Sequence, residues 1–157
     1  MPAVRLVLRV NGSEHEVQAA PDTPLLFILR NDLGLRAAKL GCALEQCGAC
    51  VVLVDGEAVA SCHAPVASFV GRAITTLEGI GTPASPDPLQ EAFVAEGAAQ
   101  CGYCIPGILV AARALLDRVP RPSDAEIRSA LDGHLCRCGT HPRILRAVRR
   151  AATAHAT

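Results

Sequence analysis

The spacing of the cysteines restricts the fold and chemistry of this sequence more than any other feature. Its 157 residues include eight cysteines, arranged as C-x4-C-x2-C-x11-C and then C-x2-C-x31-C-x-C. Four thiolates are the ligand set of one [2Fe–2S] cluster, and C-x4-C-x2-C with a distant fourth cysteine is the plant-type ferredoxin spacing. The spacing therefore predicts two clusters in series, which suits the transfer of single electrons. The first four cysteines are Cys42, Cys47, Cys50 and Cys62, and the second four are Cys101, Cys104, Cys136 and Cys138.

The net charge and the N-terminal residues limit the possible partners of the protein and its cellular compartment. Fifteen basic residues balance fifteen acidic ones, so composition gives no indication of a nucleic-acid partner or of an anionic membrane surface. The N-terminal residues contain spaced charges and no long apolar run, so we expect neither a secretory signal nor membrane insertion. A cytoplasmic location is the resulting prediction. Thiols stay reduced there, and clustered cysteines bind metal more often than they form disulfides.

The first half of the sequence has the pattern of strands joined by turns. Asn11-Gly12 and Asp55-Gly56 each lie between two short segments of strand-forming residues, which predicts two β-hairpins. Asp22-Thr23-Pro24 predicts a helix cap with proline in the first turn, and Gly34 can end that helix. Residues 39–50 are too irregular for either element and form a loop that carries three cysteines. The predicted strands are Val4–Val10, Ser13–Ala19, Val51–Val54, Glu57–Ala60 and Ala73–Thr76.

In the second half of the sequence, the apolar residues recur with the period of α-helices. Residues 79–88 are rich in glycine, proline and serine and predict a linker. Beyond them, caps, early prolines and helical spacing predict four short helices around one metal centre. On the first helix, Leu89, Phe93 and Val94 are expected to share the apolar face. The second group of cysteines precedes the second and fourth helices, where helix N-termini favour thiolates. The four predicted helix starts are Asp87, Ile105, Ser123 and Thr140.

The residues around the cysteines also resemble a known protein family. The matching segments are Gly41-Cys42-x4-Cys47-Gly48-Ala49-Cys50, Asp55-Gly56, Ser61-Cys62, Gln100-Cys101-Gly102-Tyr103-Cys104-x-Pro106-Gly107 and Leu135-Cys136-Arg137-Cys138. In unbroken order over nearly the whole chain, they are similar to the small iron–sulfur subunit of the molybdenum hydroxylases. That family includes xanthine dehydrogenase, aldehyde oxidoreductase, carbon monoxide dehydrogenase, isoquinoline oxidoreductase and nicotinate dehydrogenase.

The resemblance implies a fold and a set of ligands. The fold class is α+β, with an N-terminal plant-type ferredoxin-like β-grasp domain followed by a C-terminal four-helix bundle domain. The expected bounds are 1–78 for the first domain, 79–88 for the linker and 89–157 for the second domain. The first four cysteines would hold the distal [2Fe–2S] cluster. The second four would hold the proximal cluster, next to the molybdopterin cofactor of a large partner subunit, and Gln100 and Cys138 match positions that approach the pterin.

The resemblance further implies that the chain is the electron-transfer subunit of such an enzyme. Electrons would leave molybdenum through the pterin, pass the proximal and then the distal cluster, and reach a FAD subunit or another acceptor such as a cytochrome. Cys138-Gly139-Thr140 resembles the isoquinoline and nicotinate branch, whose enzymes often lack a FAD subunit. The sequence has no glycine-rich nucleotide loop and no convincing nucleophile–base pair. Substrate chemistry is therefore expected on the partner.

Two positions depart from the family pattern. Many relatives have glycine where this chain has Ala43 and Glu45. The carboxylate of Glu45 places a negative charge near the iron, and we expect it to lower the potential of the distal cluster.

The cysteine pattern also allows other kinds of site. Structural zinc also uses four cysteines, although it prefers paired C-x2-C units and the second group ends in C-x-C. A disulfide framework would require export of the protein. A free di-cluster ferredoxin would present an acidic docking face, whereas this chain has no net charge.

The five histidines and the arginines near the C-terminus have no predicted role as cluster ligands. The histidines are assigned to the surface or to packing rather than to a Rieske centre, because eight cysteines already suffice for two clusters. Arg137 is expected to pair with cluster charge, and the C-terminal arginines to form a solvated helix face or an interface. The residues concerned are His15, His63, His134, His141 and His155, and Arg143, Arg146, Arg149 and Arg150.

Overall fold

A five-stranded mixed sheet forms the first part of the molecule. The computed structural model describes residues 1–154. The order of strands in the sheet is β2-β1-β5-β3-β4, with β1 parallel to β5 and the other neighbouring pairs antiparallel. The last strand thus lies between two hairpins, and all five predicted strands are confirmed. Their bounds are β1 (Val4–Val10), β2 (Ser13–Ala19), β3 (Val51–Val54), β4 (Glu57–Ala60) and β5 (Ala73–Thr75).

Both hairpins are closed by two-residue turns with left-handed backbone. Asn11 and Gly12 have φ angles of 51° and 81°, and Asp55 and Gly56 have φ angles of 52° and 87°. Positive φ at both central residues defines the type I′ turn, whose twist matches that of the flanking strands. Asp55 Oδ1 also accepts a hydrogen bond of 2.9 Å from the backbone N–H of Ala73. The second hairpin is therefore tied directly to β5.

The helix that follows the first hairpin is less regular than predicted. Helix α1 (Leu25–Phe27) continues as a π-helical turn over Ile28–Asp32. Pro24 is the N-cap itself, with ψ of 136°, and within residues 1–154 no side chain caps this end. The predicted side-chain cap at Asp22-Thr23 was therefore wrong. Gly34, with φ of 70°, follows the π-helical turn as predicted.

The second part of the molecule is helical. The four predicted helices are confirmed. Asp87 Oδ1 caps the first of them by accepting a hydrogen bond of 2.8 Å from the Leu89 N–H. Ser123 and Glu126 form the expected capping box at the start of the third. A further short helix, α2, was not predicted, and it extends from the last two residues of the predicted first domain into the first two residues of the predicted linker. The helix bounds are α2 (Leu77–Ile80), α3 (Pro88–Ala95), α4 (Ile105–Arg118), α5 (Asp124–Leu131) and α6 (His141–Ala154).

Two apolar cores stabilise the two parts separately. Leu8 and Leu29 belong to the core under the sheet, and Ile108 and Ile144 belong to the core among α3 to α6. A small third cluster of side chains from β3, α4 and α2 joins the sheet to the helices. The two separate cores agree with two domains. The exact bounds of the domains stay a prediction, and residues 155–157 of the second domain lie outside the described residues. No helix within residues 1–154 is long and apolar enough to cross a membrane.

The predicted apolar face of α3 is correct for two of its three residues. Leu89 and Phe93 are buried, together with Ala92. Val94 is 83% exposed, so its assignment to this face was wrong. Successive helix residues differ by about 100° around the axis, so the position after Phe93 turns away from the core.

The C-terminal arginines tie α6 to its neighbours. Arg146 Nε lies 3.1 Å from a carboxylate oxygen of Glu96 beyond the end of α3, and Arg149 Nη2 lies 2.6 Å from Asp124 Oδ2 on α5. Part of the predicted solvated face is thus a set of ion pairs within the helical domain. The other two contacts are from Arg143 to the Gly97 carbonyl and from Arg150 to Glu96.

Candidate iron–sulfur sites

The β3–β4 hairpin brings the first group of cysteines together. Cys50 directly precedes β3 and Cys62 follows shortly after β4, and the pairing of Val51 with Ala60 places the two ends side by side. The buried hydroxyl of Ser61 donates a hydrogen bond of 2.6 Å to the carbonyl of Cys50, which fixes this juxtaposition. The sequence-distant Cys62 therefore returns to the loop, as predicted.

The four thiols of this first site fall into two pairs. Cys42 and Cys47 are hydrogen-bonded, with the Cys42 N–H donating to Cys47 Sγ at 3.4 Å. Cys50 and Cys62 form the second pair through their thiols. A [2Fe–2S] cluster has two irons and four cysteine ligands, so it needs such a division into two pairs. Gly41 makes room for the first pair, since a Cβ there would lie 2.5 Å from Cys47 Sγ.

One cysteine of each pair, Cys42 and Cys50, has a shifted pKa, and the two shifts are in opposite directions. The backbone N–H groups of Leu44 and Gln46 each donate to Cys42 Sγ at 3.3 Å, and these bonds lower the pKa of Cys42 to about 7. Burial raises the pKa of Cys50 to about 11, and the neighbouring Cys62 thiol contributes to the rise. A metal ligand must be a thiolate. Cys42 therefore forms a thiolate readily, whereas a metal must displace the proton of the buried Cys50.

The second site is built at two helix N-termini. Cys104 directly precedes α4 and Cys101 lies in the turn before it, while Cys136 and Cys138 lie just before α6. Burial raises the pKa of Cys104 to about 12, reinforced by its hydrogen bond to Cys136. Burial opposes ionisation of Cys136 too, but hydrogen bonds from the hydroxyl and backbone N–H of Thr140 outweigh it and lower the pKa of Cys136 to about 6. The Thr140 Oγ1 lies 3.2 Å from Cys136 Sγ.

The predicted pterin-contacting residues lie together at the edge of the second site. Gln100 Nε2 donates to the Cys138 carbonyl at 3.5 Å, a weak contact, and both Gln100 and Cys101 are exposed. This edge is open to a partner, in contrast to the buried Cys104.

The donor sets suit [2Fe–2S] clusters. All eight cysteines are free thiols, which removes the disulfide framework from this structure. Within residues 1–154, no three His, Cys, Asp or Glu side chains are grouped to hold a single metal ion. Paired thiols, backbone N–H donors aimed at sulfur and a glycine that clears space for Cys47 together fit two-iron clusters.

The two sites meet at a tight junction that sequence reasoning missed. The N–H of Leu135 donates to the carbonyl of Cys47 at 3.1 Å, and the Tyr103 hydroxyl donates to the carbonyl of Leu40 at 2.6 Å. Gly48 and Gly107 allow this approach, because a Cβ at Gly107 would collide with the Gly48 carbonyl oxygen. The sequence shows these glycines beside the cysteines, but their partners are distant along the chain.

His134 packs into this junction. It is 7% exposed, and burial lowers its pKa, with a further contribution from His141. Its Nδ1 is buried and has no hydrogen-bond partner among residues 1–154. The predicted packing role is therefore correct for His134, and His141 supports it by placing Nε2 3.0 Å from the His134 carbonyl. Arg137 is exposed, so its pairing with cluster charge stays a prediction, and His155 lies outside the described residues.

Comparison with known proteins agrees with this geometry. Residues 8–84 match the model of the 2Fe-2S iron-sulfur cluster binding domain, and residues 76–149 match that of the [2Fe-2S] binding domain. A nicotinate dehydrogenase subunit of Pseudomonas putida is 61% identical over 145 residues, which are 92% of each chain. The aldehyde oxidoreductase of Megalodesulfovibrio gigas is 40% identical over 95% of this chain, which corresponds to 17% of that longer polypeptide.

A solved structure extends the comparison to the fold. The crystal structure of quinoline 2-oxidoreductase from Pseudomonas putida 86 contains a chain that superimposes with a TM-score of 0.93 and 33% identity. The match covers 99% of this chain and 98% of that one. The α+β fold with its ferredoxin-like N-terminal part is therefore confirmed.

Proposed function

The chain belongs to the small [2Fe–2S] iron–sulfur subunits of the molybdenum hydroxylases, and on this premise we propose that it carries electrons singly from a molybdopterin site on a large partner subunit to an acceptor outside the chain. Such subunits are parts of multi-subunit dehydrogenases and oxidoreductases. The observation that carries the proposal is the junction, where two four-thiol sites approach each other through backbone contacts.

The eight cysteines are assigned as cluster ligands. Each bound [2Fe–2S] cluster would accept and release one electron. The chain itself supplies the thiolates and the N–H donors that stabilise them. The distal site comprises Cys42, Cys47, Cys50 and Cys62, and the proximal site comprises Cys101, Cys104, Cys136 and Cys138.

The junction offers a continuous bonded route between the sites. Cys47 belongs to the distal site, and its carbonyl accepts the N–H of Leu135, which is covalently joined to Cys136 of the proximal site. A single hydrogen bond of 3.1 Å therefore links two ligand-bearing segments. Electronic coupling decays less steeply through bonds than across empty space, so this contact favours transfer between the sites.

The open edge at Gln100 is proposed to meet the large subunit. Gln100 and Cys138 are adjacent there, and the resemblance assigns both to pterin contact. An apolar cleft next to it, lined by residues such as Phe93 and Ile105, together with the exposed Val94, would be shielded by such a partner. Fusion of the same module to a longer chain in the M. gigas aldehyde oxidoreductase supports a partner of this kind.

We also propose the kind of electron acceptor and the cellular location of the protein. Cys138-Gly139-Thr140 and the similarity to a nicotinate dehydrogenase subunit favour an acceptor other than a FAD subunit, such as a cytochrome. We propose that electrons leave the distal site beside the half-buried Cys42, where residues 43–46 of the loop are exposed. Eight free thiols support a cytoplasmic location, where thiols stay reduced.

Affinity purification of the tagged chain from its native source tests the proposal. Recovery with a large subunit that contains molybdenum and pterin is expected. Recovery of the chain alone, with both clusters and no molybdenum, would support the free di-cluster ferredoxin instead and overturn the proposal.

A further inference from the structure

The loop of the distal site contains an unusual backbone conformation. Ala43 and Glu45 have φ angles of 57° and 58°. Among residues 1–154, only two other residues that are not glycine have positive φ, and these are Asn11 and Asp55 in the hairpin turns. Asn and Asp tolerate the left-handed region, whereas Ala and Glu have no such local compensation. Something other than residue preference holds Ala43 and Glu45 in this conformation.

Each of the two residues directly precedes a donor to the same sulfur. The N–H of Leu44 follows Ala43, the N–H of Gln46 follows Glu45, and both donate to Cys42 Sγ at 3.3 Å. Left-handed residues that alternate with ordinary ones turn successive N–H groups to one side of the chain, which creates an anion-binding concavity. The side chains turn the other way, since Leu44 is 66% exposed.

We propose that Ala43 and Glu45 are positioning residues of the distal site, whose left-handed backbone aims two N–H donors at Cys42 Sγ and so raises the reduction potential of the cluster bound there. Hydrogen bonds to the sulfurs of a cluster favour its more negative, reduced form. This inference rests on the proposed function, because it takes Cys42 as a cluster ligand.

The proximal site provides an internal reference. Its left-handed residues are glycines, Gly102 with φ of 81° and Gly139 with φ of 73°. Cys136 there receives its hydrogen bond from the Thr140 hydroxyl. Changes at Ala43 therefore leave the donors of the proximal site untouched.

Substitutions at Ala43 separate the donor effect from general damage. Glycine adopts the left-handed region at no steric cost, so Ala43→Gly retains both donors. A β-branched residue strongly resists this region, so Ala43→Val turns the Leu44 N–H away from Cys42 Sγ. The assembled complex with the large subunit is titrated potentiometrically, and the EPR signals of both clusters are followed. We expect an unchanged distal potential in Ala43→Gly, a lowered distal potential in Ala43→Val, and an unchanged proximal potential in both.

Equal distal potentials in Ala43→Val and Ala43→Gly would overturn the proposal. If Ala43→Val does not assemble, the Ala43→Gly/Glu45→Gly double variant provides a second test. The quantity measured is the temperature at which the visible absorbance of the bound clusters is lost on heating. Relief of the left-handed strain should raise this temperature above that of the Ala43→Gly/Glu45→Gln variant, which matches it in charge. No rise would also overturn the proposal. A wild-type complex with only the proximal cluster would instead refute the proposed function, and this inference with it.

Discussion

Two features of the structure each require glycine at position 48. Its φ of 73° is left-handed, and a Cβ would collide with Nδ1 of the buried His134. The ring of His134 is buried, and the next residue, Leu135, donates the hydrogen bond to the Cys47 carbonyl. A methyl group at position 48 would therefore press on the residue next to the contact between the two sites.

Gly48→Ala tests this close contact. Forced overpacking costs about 1 to 3 kcal/mol, so the variant should lose that much stability beyond the cost of its backbone strain. Gly56→Ala is the matched control, because Gly56 has φ of 87° and nothing within 4 Å of the added Cβ. Denaturant unfolding of both variants measures the difference. Equal losses in the two variants would contradict the structural importance of the Gly48–His134 contact.

A second prediction at the residue scale concerns charge. Glu45 is exposed in the loop of the distal site, close to Cys42. Because its carboxylate disfavours an added electron, Glu45→Gln should raise the potential of the distal cluster and leave the proximal one unchanged. Glu91→Gln on α3, in the helical part of the molecule, serves as the control for loss of one exposed charge. Redox titration monitored by EPR would refute the prediction if Glu45→Gln showed no rise.

At the scale of elements, local patterns predicted most of the fold. The hairpin turns and the caps of α3 and α5 are formed by neighbouring residues, so the sequence alone identifies them. Helix α2 depends on a distant residue: Asn11 accepts a hydrogen bond from the Thr76 N–H and donates another to the Thr76 hydroxyl. Thr76 is the N-cap of α2, so no local pattern could have predicted this helix.

The ion pair between α5 and α6 predicts a dependence of stability on pH. The Arg149 side chain holds the pKa of Asp124 below its usual value. A carboxylate with a lowered pKa in the folded state stabilises the fold above the unfolded pKa of about 3.9, and this contribution is lost as the pH falls through the folded pKa. Asp124→Asn should therefore be less stable than wild type at neutral pH, with the difference disappearing in acid. Thermal unfolding from pH 7 to pH 2 measures it, and a difference independent of pH would contradict the assignment.

For the whole molecule, the cysteine pattern predicted both candidate sites but not their relationship. The spacing of the cysteines divides them into two groups of four, because each group has a characteristic number of residues between its cysteines. The junction joins Tyr103 to Leu40 and Leu135 to Cys47, pairs of residues that lie far apart along the chain. Such contacts arise only from the packing of one domain on the other. They convert two separate metal sites into a candidate path for electrons.

Metal analysis combined with EPR would show whether this chain holds two [2Fe–2S] clusters. The protein is purified anaerobically, and iron, acid-labile sulfide and zinc are measured before reduction with dithionite. We expect about four irons and four sulfides per chain, with two distinct S = 1/2 signals. Stoichiometric zinc, or a fully metallated sample without such signals, would contradict this expectation and leave a structural metal-binding protein.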